Sequence, residues 1–504
     1  SIMTKLSKLN TNKSPGPDKI PNIVLRSSRN IIAPYLCHLY KISIRTNKIP
    51  DEWKHASVVP IYKSGDRRKR ENYRPVSLTS TVCKVLEQLV LDMLWQYISE
   101  RCPLSDSQFG FRARRSCSSQ LMCYVDELSF ALDKGLCADV AYLDLSKAFD
   151  KVSHGRLIQK LLDRNIPLTL VKWIQNFLMG RTQAVVLNNS CSTLRNVTSG
   201  VPQGSILGPI LFLLYSDDVD RIIHSPIRMY KFADDMKLCH IFDPKSATED
   251  SRNHLQKCLN NLSQWCNENC LPLNLNKCSI VHFGSTNPRY SYHVDQRVLT
   301  VHSTERDLGV IFDERLNFQS QIDNIVNRAR RLAGLMLYSF QSRSEMVILP
   351  LYKTMVRPLL EYASVVWNPY LSKQIKKVES VQRYVTKRIS GYSLLSYEER
   401  MSSLRLPRLS SRREYFDLVE MYKVMNGLTF VDGKRVPSYL RRGTRGHSMR
   451  IRPEKFKCNV RKSALFVRAV NQWNTLPSAV VEANSLSLFK CNLRKSLLSQ
   501  MPIL

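Results

Sequence analysis

The stretch that decides the fold is Ala138-Asp-Val-Ala-Tyr-Leu-Asp144, a mostly apolar run that stops at an acid. It predicts a short buried strand over Ala138–Leu145. Farther along, Arg228–Phe232 and Lys237–Ile241 flank Ala233-Asp-Asp235, a pattern that predicts a β-hairpin with acids at its tip. Because a strand ends at each of these acids, we expect their side chains to converge at one edge of a sheet.

The three carboxylates of Asp144, Asp234 and Asp235 suit phosphoryl transfer. In that chemistry two Mg²⁺ ions about 3.5–4 Å apart activate a hydroxyl and stabilise the leaving group. Mg²⁺ takes oxygen ligands, commonly one or two carboxylates together with substrate phosphates. A single Asp at a turn is more often a solvated cap, so the acids alone leave both interpretations open.

The composition indicates a large protein with a polyanionic partner. The chain has 504 residues, more than a single core usually holds, and 43% of them are hydrophobic, which excludes wholesale disorder. Lys and Arg total 75 against 42 Asp and Glu, a formal charge of +33 that favours nucleic acid as partner. The densest apolar run, Pro209–Tyr215, is far shorter than the roughly 20 residues that cross a bilayer. With no apolar signal segment at the start, we expect no membrane partner.

The cysteines are scattered singly and predict reduced thiols in a nuclear or cytosolic protein. Four of them, Cys258, Cys266, Cys270 and Cys278, lie close enough in sequence to suggest zinc. Their spacing lacks the tight Cys-x2-Cys pair of common structural sites, so core or surface thiols are the favoured interpretation.

Helical periodicity surrounds the predicted sheet and dominates from about residue 318. Helices are predicted at Ile31–Thr46, Thr79–Glu100, Asp250–Asn269, Ile322–Phe340, Val347–Tyr362 and Lys373–Ile389, and further strands at Gln183–Asn188, Ser192–Thr198 and Lys277–Phe283. Residues 371–460 carry 21 Lys and Arg against 8 Asp and Glu, a net charge of +13. We expect residues 371–504 to hold RNA or DNA through phosphate contacts; the alternative is a merely solvated helical surface.

Several motifs resemble one known family. The central ones are Tyr142-Leu-Asp-Leu-Ser-Lys-Ala-Phe-Asp150, Ser199-Gly-Val-Pro-Gln-Gly-Ser-Ile-Leu-Gly-Pro209 and Phe232-Ala-Asp-Asp235, which occur in this order. They resemble the three central palm motifs of reverse transcriptases. Asn72-Tyr-Arg-Pro-Val-Ser-Leu78 and Gln108-Phe-Gly-Phe-Arg112 resemble the finger motifs that precede them.

The resemblance extends over essentially the whole chain. Lys13-Ser-Pro-Gly-Pro-Asp18 resembles the N-terminal extension of non-LTR (LINE-type) retrotransposon enzymes, and Asp307-Leu-Gly-Val310, Val356-Arg-Pro-Leu-Leu-Glu-Tyr362 and Trp367-Asn-Pro369 are similar to the jockey-like group. It implies an α+β right-hand fold of fingers, palm with antiparallel sheet, and helical thumb. The implied divisions are an N-terminal extension (1–43), fingers and palm (44–317), thumb (318–390) and a basic, mainly helical nucleic-acid-binding region (391–504).

The resemblance also implies roles for individual residues. Asp144 and Asp234 match the metal-binding aspartates, Asp235 matches the third acid, and the backbone carbonyl of Leu145 would be a further metal ligand. Lys277 matches the lysine proposed as proton donor to pyrophosphate.

Five more residues match positions around the incoming nucleotide. Lys63 and Arg74 match basic residues that grip the triphosphate. Gln203 and Gly204 match the turn that borders nucleotide and template. Phe149 matches the bulky position that disfavours a 2′-hydroxyl; the alternative is an ordinary core residue. Asp217-Asp218 replaces the usual Asn with Asp217 but lies on a helical pattern, so we do not take it for the metal pair.

The implied function is RNA-templated DNA synthesis from deoxynucleoside triphosphates onto a DNA primer, with two Mg²⁺ ions or with Mn²⁺ in their place. Two alternatives stay open: a silent remnant that only binds nucleic acid, and an RNA-dependent RNA polymerase or maturase-like scaffold. The chain does not begin with Met, and we expect an upstream endonuclease to be supplied elsewhere or lost. We expect a ribonucleoprotein of nucleus and cytoplasm.

Overall fold

The computed structural model describes residues 1–188, 190–246, 249–432, 436–440 and 447–498, and its fold is mixed α+β, as predicted. The helices are α1 Ile2–Ser7, α2 Asn22–Ser27, α3 Arg29–Thr46, α4 Thr81–Arg101, α5 Cys117–Asp133, α6 Ala148–Lys151, α7 His154–Asp163, α8 Leu168–Leu178, α9 Gly208–Ser216, α10 Glu249–Glu268, α11 Gln319–Ser339, α12 Glu345–Leu351, α13 Arg357–Glu361, α14 Ser364–Trp367, α15 Ser372–Thr386, α16 Tyr397–Ser403, α17 Leu409–Met425, α18 Asn459–Lys462, α19 Leu465–Thr475, α20 Ser478–Val481 and α21 Leu486–Leu498. The strands are β1 His55–Tyr62, β2 Tyr73–Leu78, β3 Cys137–Leu143, β4 Thr182–Leu187, β5 Ser190–Cys191, β6 Arg195–Asn196, β7 Ile227–Phe232, β8 Asp235–Phe242, β9 Ser279–Phe283, β10 His293–Val294, β11 Arg297–Val298, β12 Thr300–Val301, β13 Thr304–Asp307 and β14 Val310–Asp313.

A five-stranded sheet in the order β12-β9-β3-β8-β7 forms the palm. Its middle strand, β3, is antiparallel to both neighbours, and all seven of its residues are buried. Successive side chains of a strand point to opposite faces, and here each face meets a different core: Val140 and Tyr142 pack into one, Ala141 and Leu143 into the other. Burial on both sides explains why β3 is apolar apart from one buried acid, Asp139.

The predicted hairpin is confirmed as β7 and β8. Phe232 pairs with Asp235, which leaves a two-residue turn of Ala233 and Asp234. Ala233 has φ +58°, in the left-handed region that a two-residue hairpin turn requires and that non-glycine residues rarely adopt.

The fingers contain a second sheet, with β2-β1-β4-β5 in order and β6 paired to β4. Strand β1 is antiparallel to β2 and parallel to β4. The strand predicted at Ser192–Thr198 is wrong in extent: only the short β5 and β6 form near it, on either side of a break. Helices α1 to α4 share a hydrophobic core with one face of β3, and within it the Tyr40 hydroxyl donates to the Val82 carbonyl at 2.7 Å.

The helices from α11 onward share one hydrophobic core with α5 on the back of the palm. The helix predicted at Val347–Tyr362 is confirmed over Glu345–Glu361, but it contains a π-helical turn, Tyr352–Val356, between α12 and α13. Pro350 and Pro358 lie on either side of that turn, and each lacks a backbone donor, which favours an irregular ladder here. In the described ranges, no helix has the length and apolar character to cross a bilayer.

Candidate active site

Three acids, Asp144, Asp234 and Asp235, form what we call the acid edge of the palm sheet. Leu143, the last residue of β3, pairs with Met236 of β8, so Asp144 comes opposite Asp235. Asp234 occupies the turn before β8. The convergence expected from the sequence thus arises from strand register.

The three acids interact electrostatically. Burial raises the pKa of Asp234 above its ordinary value, and the nearby Asp144 carboxylate adds to this, whereas Lys63 and Lys277 oppose it. Asp235 lies at the rim and is partly exposed. Loss of solvent, followed by the charges of Asp234, Asp307 and Asp144, raises the pKa of Asp235 to about 6. Like charges held together favour binding of a cation or a proton.

Lys277 contacts the acid edge directly. Its Nζ lies 2.9 Å from Oδ2 of Asp144, and the lysine side chain is 55% exposed. Residues 272–274, just before Lys277, pair with the end of β3: the Asn274 amide donates to the Asp144 carbonyl, and the Ser146 amide to the Pro272 carbonyl. These two bonds do not use the carbonyl of Leu145, which the sequence predicts as a ligand.

The donor set of this site is made of hard oxygens: three carboxylates and the Leu145 carbonyl. No group of three His, Cys, Asp or Glu side chains in the described ranges is already close enough together to enclose a metal ion. Mg²⁺ normally keeps water and substrate phosphate among its ligands and takes only one or two carboxylates. The residues therefore fit a metal that completes its coordination shell with substrate.

The four cysteines that are close in sequence are free thiols. Cys258, Cys266 and Cys278 are buried, and Cys270 is exposed.

A cavity of about 340 Å³ opens beside the acid edge. Asp144, Asp235 and Lys277 line one part of it, and residues 305–308 of the β13–β14 hairpin line another. At its wall the ammonium of Lys237 pairs with Asp307, and it lies 4.1 Å from the centre of the Tyr124 ring. This buried pair joins the strand that follows the acids to the neighbouring hairpin.

The two basic finger residues occupy different positions. Lys63 follows β1, is exposed, and is close enough to Asp234 for its charge to lower the pKa of that acid. Arg74 lies exposed on β2 opposite Ile61, and no ion pair involves it in the part of the chain that the structure describes. Both side chains remain accessible to an anionic ligand.

The loop that contains Gln203 and Gly204 packs against β2. The Ser77 amide donates to the Gln203 carbonyl at 2.7 Å. Gly204 has φ +122°, and a Cβ there would lie 2.5 Å from the Ser77 carbonyl oxygen. The close approach that requires glycine at this position is therefore made by the chain's own finger strand.

Phe149 is half-buried, and its ring stacks on Phe212 with centroids 4.5 Å apart. Its carbonyl accepts from the Val201 amide at 2.8 Å, which ties it to the loop before Gln203. The ring thus has one side in the core and part of its surface free, an arrangement compatible with either interpretation made from the sequence.

Two residues that sequence reasoning did not assign to the site support the same loop. Asp150 accepts from Nε2 of Gln203 at 2.8 Å. Glu87 of α4, fully buried, accepts through Oε2 from the amides of Ile206 and Leu207 at 2.7 and 3.1 Å, at the start of α9. Burial raises the pKa of Glu87, and the two amides oppose that rise. The sequence signal for Glu87 is an acid within an apolar helical pattern, which indicates a buried carboxylate. It does not identify the amides that the carboxylate binds, because they are about 120 residues away.

The neighbouring acids of residues 217–220 belong to ion pairs instead. Asp217 pairs with Arg164 at 2.5 Å, Asp218 with Lys160 at 2.8 Å, and Asp220 with Lys231. They lie in the 3-10 turn Asp217–Ile222, which directly follows α9, and this confirms the helical flanks expected from the sequence.

Comparison with known proteins finds a family model and curated relatives with similar sequences. Residues 61–312 match the family model described as reverse transcriptase (RNA-dependent DNA polymerase). The probable RNA-directed DNA polymerase from transposon X-element of Drosophila melanogaster is 29% identical over 391 residues, 75% of this chain and 42% of the relative. The RNA-directed DNA polymerase from mobile element jockey of the same species is 27% identical over 400 residues, 77% of this chain and 43% of the relative.

A more distant relative is the Pol polyprotein from type-1 retrotransposable element R1 of Bradysia coprophila, 24% identical over 73% of this chain and 36% of the relative. The chain spans less than half the length of these curated relatives.

Proposed function

The chain belongs to the reverse transcriptase family, and from this premise we propose that it is an RNA-directed DNA polymerase of a non-LTR retrotransposon. It would add deoxynucleotides to a DNA primer along an RNA template. The observation that carries the proposal is the acid edge, where strand register brings Asp144 opposite Asp235 and next to Asp234.

Asp144, Asp234 and the Leu145 carbonyl would hold two Mg²⁺ ions, or Mn²⁺ in their place, with Asp235 in a supporting position. When bound, such ions lower the pKa of the primer 3′-hydroxyl and stabilise charge on the leaving pyrophosphate. The acids contribute by holding negative charge where the cations are needed. Burial first, and then their mutual repulsion, raise the pKa of Asp235 to about 6, and cation binding would relieve the repulsion.

Lys63 and Arg74 would hold the triphosphate, since both are exposed cations of the fingers, one just after β1 and the other on β2. Arg suits forked contacts with phosphate oxygens, and Lys acts as a point charge. Gln203 and Gly204 would border the nucleotide and template, in a loop fixed by Asp150, Ser77 and Glu87. Phe149 would exclude a 2′-hydroxyl.

Lys277 would donate a proton to the leaving pyrophosphate. Its ammonium now contacts Asp144 at 2.9 Å, and its exposed, flexible stem allows it to turn from the acid toward a phosphate once a cation takes the carboxylate. A general acid must come within hydrogen-bond reach of the oxygen that it protonates.

The partners would be template RNA, the primer or target DNA, and deoxynucleoside triphosphates, in a ribonucleoprotein of nucleus and cytoplasm. The formal charge of +33 supports a nucleic-acid partner. The proposed thumb, residues 318–390, and basic region, 391–504, would hold the nucleic acid.

Primer extension on poly(rA)/oligo(dT), with and without Mg²⁺, tests the proposal. We expect Mg²⁺-dependent incorporation of dTTP by the chain and none by an Asp144→Asn variant. Filter binding of the same template measures the alternative: retained binding without extension in Mg²⁺ or Mn²⁺ would identify a remnant that only binds nucleic acid. An RNA polymerase would extend an oligo(U) primer with UTP in preference to dTTP.

A further inference from the structure

A short finger segment, Ser107–Gly110, runs beside the strand that leads to the acid edge. The Phe109 amide donates to the Lys231 carbonyl, and the Lys231 amide donates to the Ser107 carbonyl, both at 2.8 Å. Gln108 and Lys231 thereby form a parallel bridge. The segment acts as a one-residue extension of the palm sheet along β7.

The side chain of Gln108 extends from this bridge to the turn itself. Its Oε1 accepts from the amide of Ala233 at 3.0 Å and from the amide of Gly110 at 2.7 Å, and its Nε2 lies 3.4 Å from the Ala233 carbonyl. Gln108 is 2% exposed, so these bonds form away from competing water. Both backbone polar groups of Ala233 are thus held by one side chain.

Ala233 is the residue at which such support matters. It precedes Asp234 directly and adopts φ +58°, a conformation that costs a non-glycine residue about 1 kcal/mol or more and persists only when the surroundings impose it. Rotation about this one residue would change the direction of the Asp234 carboxylate.

Gly110 closes the other side of the contact. A Cβ on Gly110 would lie 2.5 Å from the Ala233 nitrogen, closer than real side chains approach a backbone atom. The absence of a side chain at Gly110 is therefore what lets the segment reach the turn.

The segment is itself braced by two arginines. Arg112 donates to the Ser105 carbonyl at 2.5 Å, and Arg115 donates to the Gln108 carbonyl at 3.1 Å. The Arg115 guanidinium lies 3.4 Å from the centre of the Phe430 ring, and the Phe430 amide donates to the Arg114 carbonyl at 2.8 Å. Phe430, which follows α17, is thus linked to the turn at Ala233 through the side chains of Arg115 and Gln108.

We propose that Gln108 is a positioning residue that fixes the backbone of Ala233 and so the direction of the Asp234 carboxylate, with Gly110 giving it access. This deepens the proposed polymerase function and rests on it. Gln108 touches no reacting atom; it acts through the turn.

The test compares Gln108→Met with Gln382→Met. Gln382 on α15 is equally buried and also makes side-chain bonds, accepting from Tyr352 and donating to Tyr397, but it lies in the thumb. We expect both variants to lower the melting temperature. Only Gln108→Met should lower kcat, by about tenfold to a hundredfold, with KM for dTTP within about threefold of wild type, as misplacement of a catalytic group predicts.

Hydrogen exchange at the Ala233 amide gives a readout that does not depend on catalysis. We expect faster exchange in Gln108→Met and no change in Gln382→Met. Unchanged exchange at Ala233, or unchanged kcat in an active enzyme, would overturn the proposal. If the wild type makes no DNA, the polymerase proposal fails, and exchange at Ala233 alone decides whether Gln108 fixes the turn.

A second pair of variants guards against misfolding of Gln108→Met. Gly110→Ala should lower kcat and speed exchange at Ala233, because its Cβ displaces the turn. Gly155→Ala on α7, where a Cβ meets no atom within 4 Å, should do neither. Equal behaviour of these two alanine variants would also contradict the proposal.

Discussion

The acid edge and the helices after residue 371 each concentrate charge of one sign, and the structure treats the two sets differently. Asp234 and Asp235 lie next to Asp144, so three acids stand together at the edge. Asp144 forms an ion pair with Lys277, whose side chain is half-exposed. After residue 371, by contrast, several arginines are buried against acids. Arg461 is 3% exposed and pairs with Asp126, and Arg468 pairs with Asp417.

This difference shows that a count of charges does not identify a binding surface. The net charge of +13 over residues 371–460 includes arginines that hold the fold together: Arg412 pairs with Glu361, and Arg413 is buried. The acids of the palm, fewer in number, repel one another and leave a site that a cation would stabilise. What distinguishes the two sets is local pairing, which depends on tertiary contacts.

The largest expected effect comes from removing one charge at the acid edge. Asp144→Asn or Asp234→Asn should abolish DNA synthesis, to well below a tenth of wild-type activity, because in the proposed mechanism both metal positions depend on these carboxylates. Circular dichroism and thermal melting should show an intact fold. Asp218→Asn is the matched control, since Asp218 pairs with Lys160 outside the edge and its loss should leave most of the activity. Substantial synthesis by either edge variant would refute the site assignment.

Sequence reasoning found the acids because their signal is local: an apolar run that ends at Asp144, and two strands that flank Asp234 and Asp235. The register that joins them could be expected from sheet geometry. The supports of the site could not, because Glu87 and Gln108 act on partners about 120 residues away in sequence, and nothing near either residue reveals that partner. The π-helical turn at Tyr352–Val356 was missed for the opposite reason, since helical periodicity continues through it.

The second prediction tests the paired side of the comparison. Arg461→Met should lower the free energy of unfolding by about 3–5 kcal/mol, because it leaves the carboxylate of Asp126 buried without this cation. Arg408→Met should cost less than about 1 kcal/mol, since its pair with Glu398 is exposed. Urea denaturation of both variants measures the difference, and equal losses would contradict the division into buried and exposed pairs.

Phe149 is half-buried, with one face of its ring packed on Phe212 in the core and the rest near the proposed nucleotide site. Phe149→Val should lower the preference for dNTP over rNTP by about tenfold, which corresponds to about 1.4 kcal/mol of steric penalty removed. Incorporation efficiencies of both nucleotide classes provide the ratio. Phe177→Val, a fully buried ring stacked on Trp173, should leave the ratio unchanged. An unchanged ratio with a lower melting temperature in Phe149→Val would return the residue to the core.

The smallest effect concerns the exposed lysines of α15 and the residue that follows it. Lys373, Lys376 and Lys387 are exposed, and replacing all three by Gln should reduce the slope of log affinity against log salt by up to about 0.7–0.9 for each phosphate that is no longer neutralised. A control variant replaces Lys172, Lys245 and Lys257, which are exposed elsewhere. An equal change in slope for the two triple variants would show that α15 has no special part in binding.

These surface substitutions are a better test than truncation near residue 370. The core around α5 continues through the thumb to Phe489 and Leu493 of α21, so truncation would remove part of that core together with any binding surface. A loss of affinity after truncation could not then be assigned to phosphate binding.

The ion pair between Arg461 and Asp126 also has a consequence for synthesis of the protein. Its partners are 335 residues apart and meet in the interior. At roughly 5–20 residues per second on the ribosome, Arg461 is synthesised tens of seconds after α5, the helix that contains Asp126. During that interval the apolar face and the acid of α5 are open to chaperones and to other nascent chains. A ribosome that stalls before the last helices would therefore release an aggregation-prone fragment. Production of folded protein thus requires that translation continue through α21.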